Sequence, residues 1–285
     1  MQKIWVCGAR GQIGQAVNDV VDKLEFEMLD TDVDDLDVTD TDEVLRFGEM
    51  NRPDIIINCS GMTDISSCEE NPSQAFKVNA LGARNLAIVA AKMQAKMVQL
   101  STDDVFDGKS TEPYTEFDIT NPGTVYGKSK LAGENYVKEF TTKHFIVRST
   151  WVYGKGQNFI NGFLKKVDAG EQLSIASDQF GSPTSANELA RFLLHLVHTS
   201  EYGTYHATNT GVCSRYAFAQ EILKMTGKTA SMQPVPTVMS DFSKVRPAYA
   251  VLDNFIMSMV PIYDFPDWQD SLREYLEERG LYHAE

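Results

Sequence analysis

What this chain has little of already excludes several classes of protein. It holds only four cysteines, Cys7, Cys59, Cys68 and Cys213, scattered and never arranged as C-x-x-C. That spacing speaks against both a disulfide framework and a zinc site. The five histidines form no ligand cluster: His195 and His198 are the nearest pair, with no third ligand at useful spacing. No metal ligand is therefore assigned. No apolar run approaches the ~20 residues that span a bilayer. No signal-peptide pattern precedes the glycine-rich turn near the N-terminus. Unpaired cysteines and the missing leader make a reducing cytoplasm the expected location. The G-x-S-x-G elbow of α/β hydrolases is absent, as are internal repeats and Gly/Ser linkers. Positive charge is also short: 26 Lys and Arg against 40 Asp and Glu give a net charge of −14. That field repels nucleic acid and anionic membranes, so neither is expected as a partner. A small anionic ligand is still allowed, because it needs only local cations and backbone N–H groups.

What is present is ordinary globular composition, with 42% hydrophobic residues in 285. This length allows one large domain or two intimate ones. Lys3–Cys7, Phe26–Asp30, Asp54–Cys59, Lys96–Ser101 and His144–Arg148 are short apolar runs. Asp54–Cys59 is apolar almost throughout, as a strand buried on both faces should be. Helical stretches separate these runs: one ends near Lys23, one covers Thr41–Phe47 with Thr39 and Asp40 at its N-cap, and one covers the Ala-rich Ala75–Met93. The alternation predicts an α/β fold, a Rossmann-type doubly wound parallel sheet. From Trp151 onward strand signals weaken and proline becomes more frequent. Helices are predicted over Asn158–Val167, Asn187–His198, Arg215–Met225 and Trp268–Arg279. Residues 1–150 are expected to form the sheet domain. Residues 151–285 are expected to form mostly a smaller C-terminal covering domain, with about 185–200 returning to the sheet.

The segment Gly8-Ala9-Arg10-Gly11-Gln12-Ile13-Gly14 lies between the first strand and the first helix. A G-x-x-G-x-x-G turn there has a physical purpose. Gly8, Gly11 and Gly14 supply a φ > 0 turn, close approach of backbone to a pyrophosphate, and tight helix–strand packing. The helix N-terminus then offers N–H groups to phosphate. Asp30 follows Gly8 by 22 residues at the end of the second strand. An acid there accepts hydrogen bonds from adenosine ribose hydroxyls. Residues 1–150 are thus expected to bind a dinucleotide. Asp30 and its acidic neighbours (Asp32, Asp34, Asp35, Asp37) disfavour a 2′-phosphate, which slightly favours NADH over NADPH. Arg10 within the turn argues the other way. Most carboxylates of that stretch read as a solvated loop and a helix N-terminus.

Tyr126-Gly127-Lys128-Ser129-Lys130 contains Y-x-x-x-K. On a helix, positions i and i+4 share a face. An ammonium beside a phenol lowers the phenol's pKa towards the working range. Ser101-Thr102-Asp103 ends the Lys96 strand, where open α/β sheets face their ligand. Thr102 supplies a hydroxyl to a substrate carbonyl, and a strand-end turn is the bland alternative.

These motifs, taken together, resemble the dTDP-4-dehydrorhamnose reductases of the extended short-chain dehydrogenase/reductase superfamily. The likeness covers nearly the whole chain. It extends through Arg52-Pro53-Asp54, Asn121-Pro122, Trp151-Val152-Tyr153-Gly154, Asp178-Gln179-Phe180-Gly181-Ser182-Pro183-Thr184, Arg246-Pro247 and Pro266-Asp267-Trp268. The resemblance implies NADH- or NADPH-dependent reduction of the 4-keto group of dTDP-4-dehydro-L-rhamnose, with 151–285 as the substrate-binding domain. It implies that Tyr126 donates the proton, Lys130 tunes it and Thr102 polarises the keto oxygen. It places Gly11, Gln12, Ile13, Asp30, Asp37, Val38, Ser60, Gly61, Thr63, Tyr126 and Lys130 on the cofactor. It places Thr102, Asp103, Trp151 and Arg246 on the sugar nucleotide. Family precedent is a homodimer, in some members with Mg2+ at its interface.

The chain departs from the family pattern at Met62, Ile65-Ser66, Asp104, Arg215 and Ala250. Asp104 stands where the family usually has Tyr, and Arg215 replaces a Trp. Two alternatives follow. One is a reductase, epimerase or dehydratase acting on a related 4-keto-6-deoxy sugar nucleotide. The other is a non-catalytic dinucleotide-binding subunit like that of methionine adenosyltransferase.

Overall fold

The structure, a computed structural model, describes residues 1–239 and 247–283. Its first half runs β1 (Gln2–Cys7), α1 (Gln12–Val20), β2 (Phe26–Thr31), α2 (Thr41–Asn51), β3 (Ile55–Asn58), α3 (Ile65–Glu70), α4 (Pro72–Phe76), a π-helical turn (Lys77–Gly82), α5 (Ala83–Met93), β4 (Lys96–Thr102), α6 (Val125–Phe140) and β5 (His144–Ser149). Its second half runs β6 (Val152–Tyr153), α7 (Phe159–Asp168), β7 (Leu173–Ala176), β8 (Phe180–Gly181), β9 (Thr184–Ser185), α8 (Ala186–His198), β10 (Gly203–His206), β11 (Cys213–Ser214), α9 (Arg215–Thr226), β12 (Met232–Val235), β13 (Tyr249–Ala250), α10 (Phe255–Met259) and α11 (Trp268–Glu278).

Six parallel strands form the central sheet in the order β10-β5-β4-β3-β1-β2. Successive side chains leave opposite faces of a strand. Ile4, Val6, Ile55, Ile57, Val98 and Val147 therefore pack on one face with Val17 of α1 and Leu189 and Phe192 of α8. Trp5, Cys7, Ile56, Met97 and Ile146 pack on the other with Val44 of α2, Leu86 of α5 and Val137 of α6. Helices cover both faces, which explains the continuous apolar run of β3. Burying each of these side chains contributes roughly 1.5–3 kcal/mol. A separate core joins Trp151, Tyr153, Phe163, Ile175, Phe218, Ile222, Trp268 and Leu272. It knits β6, α7, β7, α9 and α11 into a cap over the sheet's ligand end.

Two elements differ from the sequence reading. The Ala75–Met93 stretch is not one α-helix, because the π-turn at Lys77–Gly82 interrupts it. The sheet also gains a sixth strand, β10, beside β5. It is a four-residue edge strand with only Tyr205 and His206 buried, so it lacks an apolar run. The return to the sheet extends past residue 200 as well. Met257, Ile262 and Phe265 join the same core as α1 and α8.

Candidate active site

The chain leaves β1 for β2 on one side and returns to β3 on the other. The crevice beyond these strand ends is the switch point where open α/β sheets take ligands. Gly8 turns the chain there with φ +77. A Cβ on Gly14 would lie 2.3 Å from the Gly8 oxygen, and one on Gly8 would lie 2.8 Å from the Ser60 nitrogen. Neither position has room for a side chain. Gly11 is the N-cap of α1 and brings no side-chain acceptor. The first N–H groups of α1 therefore remain available to an anion.

Two cavities meet at this turn. One, of about 380 Å³, is lined by Gly8, Asp32, Asp37, Val38, Ser60 and Met62 among others. The other, of about 510 Å³, begins at Gly11, Gln12 and Ile13 and runs past Gly61 and Thr63. Gly11, Cys59, Ser60 and Gly61 line both. Gly14 lies buried beneath the turn and lines neither.

Asp30 is exposed one residue before the end of β2 and lines neither cavity. β2 runs one residue further than the sequence pattern suggested, to Thr31. Thr31 turns inward to accept a hydrogen bond from Trp5 Nε1 at 2.8 Å, so alternation sends Asp30 the other way. Asp32 is the acid that reaches the cavity, and its carboxylate accepts the Arg10 N–H at 2.8 Å. The Arg10 guanidinium lies on the acidic loop, 3.2 Å from Asp34 and 3.3 Å from Asp35.

Thr102, Asp103, Tyr126 and Lys130 all line the larger cavity. The Thr102 hydroxyl, at the end of β4, donates to Asp103 Oδ1 at 3.0 Å and accepts the Asp104 N–H at 3.2 Å. α6 starts at an N-cap, Thr124, that accepts the Gly127 N–H. A Cβ on Gly127 would fall 2.0 Å from the Asp104 oxygen, so glycine lets this helix rest against the turn after Thr102. Lys130 Nζ donates to the Leu100 carbonyl at 2.6 Å. Burial pushes the Lys130 ammonium down to about 8, against the opposing pull of Glu134 and Cys59. Behind it, Glu134 accepts from Arg148 at 2.9 and 2.7 Å and from the Ser101 hydroxyl at 2.5 Å.

The π-turn holds one residue that sequence reading missed. Asn79 accepts the Met62 N–H at 2.8 Å and donates to the Met62 carbonyl and the Ser129 hydroxyl, each at 2.9 Å. It thereby fixes the 60–63 loop and the Tyr126 helix to one another. Nothing short of the π-turn itself signals this role in the sequence.

The cap forms the far wall. Trp151 lines the cavity with its backbone in the left-handed region, φ +47. Its indole fits because a Cβ on Gly181 would lie 2.6 Å from Trp151 Cε2. The Arg215 guanidinium lies over that ring at 3.4 Å and over Phe159 at 4.8 Å. Gln12 Nε2 donates across the cleft to the Gln157 carbonyl at 3.0 Å. Of the sequence departures, Met62 and Arg215 line the cleft, whereas Asp104, Ile65, Ser66 and Ala250 do not. Arg246 lies outside the described residues. Among the described residues, no group of three or more His, Cys, Asp or Glu is placed to hold a metal ion.

A glycine turn at a parallel-sheet switch point, with Thr, Tyr and Lys along the adjoining cleft, is the layout of a nicotinamide-dependent oxidoreductase. The family model described as the RmlD substrate binding domain matches residues 1–280, and the chain belongs to that family. A dTDP-4-dehydrorhamnose reductase structure from Clostridium acetobutylicum is 40% identical, with 98% of this chain and 100% of that one covered and a TM-score of 0.95. A dTDP-4-dehydrorhamnose reductase from Bacillus anthracis, solved in complex with NADP, is 36% identical, with 98% and 100% covered and a TM-score of 0.94. The spore coat polysaccharide biosynthesis protein SpsK of Bacillus subtilis is 35% identical over 281 residues, 98% of this chain and 99% of SpsK.

Proposed function

We propose that this chain reduces the 4-keto group of dTDP-4-dehydro-L-rhamnose to give dTDP-L-rhamnose, a step of nucleotide-sugar biosynthesis. The observation that carries this reading is the placement of Thr102, Tyr126 and Lys130 on one wall of a single cleft of about 510 Å³. The dinucleotide fits the residues present. Its pyrophosphate suits the glycine turn and the α1 N-terminus, and its adenosine suits the cavity of Asp32, Asp37 and Val38. Ser60, Gly61 and Thr63 would flank its nicotinamide half. When bound in reduced form, it supplies the hydride.

The chain's own residues do the rest. Tyr126 holds the keto oxygen by a hydrogen bond, and Thr102 joins it by turning its hydroxyl proton from Asp103 Oδ1 to that oxygen. The Tyr126 phenol gives its proton to that oxygen as the carbonyl becomes an alcohol. The Lys130 ammonium favours the phenolate left behind. Trp151 and Phe159 close the cap side against water. Asp103 and Trp151 contact the sugar nucleotide. Asp32 at the adenosine end, with Arg10 engaged by Asp34 and Asp35, favours NADH over NADPH. Residues 1–150 serve the dinucleotide and mostly 151–285 the substrate, in a cytoplasmic homodimer.

A second reading, reduction of a related 4-keto-6-deoxy sugar nucleotide, is favoured by Arg215 in the cleft wall. The test is the loss of NADH or NADPH absorbance with enzymatically generated dTDP-4-dehydro-L-rhamnose. Tyr126→Phe is expected to lower turnover by about 10²–10⁴-fold while dinucleotide binding persists. A variant as active as wild type would sink the assignment. Turnover only with another keto sugar would select the second reading.

A further inference from the structure

The Glu134–Arg148 ion pair lies behind Lys130 and lines neither cavity. Glu134 is fully buried and Arg148 nearly so. Arg148 Nε and Nη2 donate to the two Glu134 oxygens at 2.9 and 2.7 Å. Its third arm, Nη1, lies 3.5 Å from His206 Nε2. Such a bidentate clamp fixes the carboxylate in place. Burying that carboxylate still costs free energy that a neutral side chain would not. A glutamine at 134 would have nearly the same shape, so the negative charge is the feature to explain.

The register of α6 against β4 explains it. Lys130 and Glu134 are i and i+4 and share one helix face. Lys130 Nζ donates to the Leu100 carbonyl at 2.6 Å, and the next residue, Ser101, donates its hydroxyl to Glu134 at 2.5 Å. Thr102 follows at once. The carboxylate therefore stands one helical turn from the Lys130 ammonium. Lys130 is itself only 5% exposed, so solvent and salt screen the attraction little. The other ionisable groups around the pair are Cys59 beyond β3, Glu69 at the α6 N-terminus, Asp103 and Asp104 beyond β4, Tyr126 and Lys138 on α6, and His206 on β10. Burial pushes Cys59 up to about 12 and His206 down to about 3, so neither changes charge near the Lys130 value of about 8.

We infer that Glu134 is a positioning residue of the reaction: clamped by Arg148, it supplies the counter-charge that keeps the Lys130 ammonium beside Tyr126. The inference deepens the proposed function and rests on that reading only for the use Tyr126 makes of Lys130.

The test follows Lys130 itself in the whole chain. Isotope-labelled lysine reports the titration of each amine by NMR, and the signal missing from Lys130→Met identifies this one. Wild type is compared with Glu134→Gln and with the double variant Glu134→Gln, Arg148→Met. The double variant also removes the orphaned Arg148 charge and carries the test should the single variant not fold. The Lys130 midpoint is expected to fall by about one pH unit or more in Glu134→Gln. It should fall by less in the double variant, where the opposing Arg148 charge has gone too. The alkaline limb of reductive kcat/KM should move down with it, so that the loss of rate shrinks as pH is lowered. A packing role would lower the rate equally at every pH. That result, or a Lys130 midpoint that stays or rises in the variants, would overturn the inference. A lowered midpoint in a chain that reduces no keto sugar nucleotide would uphold the Glu134 assignment and remove the proposed reaction. Keto-sugar reduction with an unmoved midpoint would do the reverse.

Discussion

The two walls of the cleft are built on different physics. The sheet wall is made of strand ends, a glycine turn and two helix starts. Its ligand-facing groups are backbone N–H groups or side chains fixed by the regular elements that carry them. The described cap wall combines aromatic rings, amide side chains and a stacked guanidinium, drawn from residues 151–159, 179 and 215–218. Secondary structure dictates the first wall, and packing between distant segments dictates the second. A wall set by backbone geometry is fit for a cofactor shared by many enzymes. A wall set by side-chain packing is easier to re-cut for a particular substrate.

Four substitutions test this contrast. The largest effect is expected behind the sheet wall. Glu134→Ala leaves the Arg148 guanidinium, 3% exposed, without its 2.7 Å partner. Breaking a buried pair this way costs about 3–5 kcal/mol, which a urea melt would read directly. Gly14→Ala and Gly181→Ala then form a matched pair, one for each wall. The first drives a methyl into the Gly8 backbone and the second into the Trp151 ring. Each should cost about 1–3 kcal/mol of stability. Gly14→Ala should weaken dinucleotide binding, whereas Gly181→Ala should raise KM for the sugar nucleotide alone. Cross-effects of equal size would dissolve the distinction between the walls.

The smallest effect is expected from pH. Lys130 titrates near 8 in the folded chain and at 10.5 when solvated. Reductive kcat/KM should therefore decline above about pH 8, as the ammonium beside Tyr126 loses its proton. Between these two values the unfolded state binds more protons at this site. Its contribution to stability is therefore unfavourable below pH 8 and is relieved as pH rises towards 10.5. Lys130→Met, the fourth substitution, should abolish that limb of both profiles. A wild-type rate that stays flat to pH 10 would show that the lysine charge is not used.

The same contrast explains what could be read in advance. Five of the six sheet strands were legible because each carries a short apolar run, which double-sided burial explains for β1, β3, β4 and β5. Gly8, Gly11, Gly14, Tyr126 and Lys130 were legible because each sits within one local motif. The end of β2 was set one residue early, because Thr31 has no apolar signature to extend the strand. β10 was missed because Gly203-Thr204-Tyr205-His206 contains no apolar run. Arg215 stood out only as a departure. Its stacking on Trp151 depends on chain positions 64 residues apart, and no local pattern records such a contact.

The π-turn at Lys77–Gly82 has a consequence for the phase of the helix that contains it. Before it, Ala75 faces the small core around Cys68 and Tyr126; after it, Ala83, Leu86 and Ala87 face the sheet. Each residue advances an α-helix by about 100°. Deleting one residue from the turn would restore regular winding and swing everything beyond it by about that angle. Either the sheet face or the Tyr126 face could then be buried, but not both. One surplus residue thus acts as a vernier between the scaffold and the reaction site.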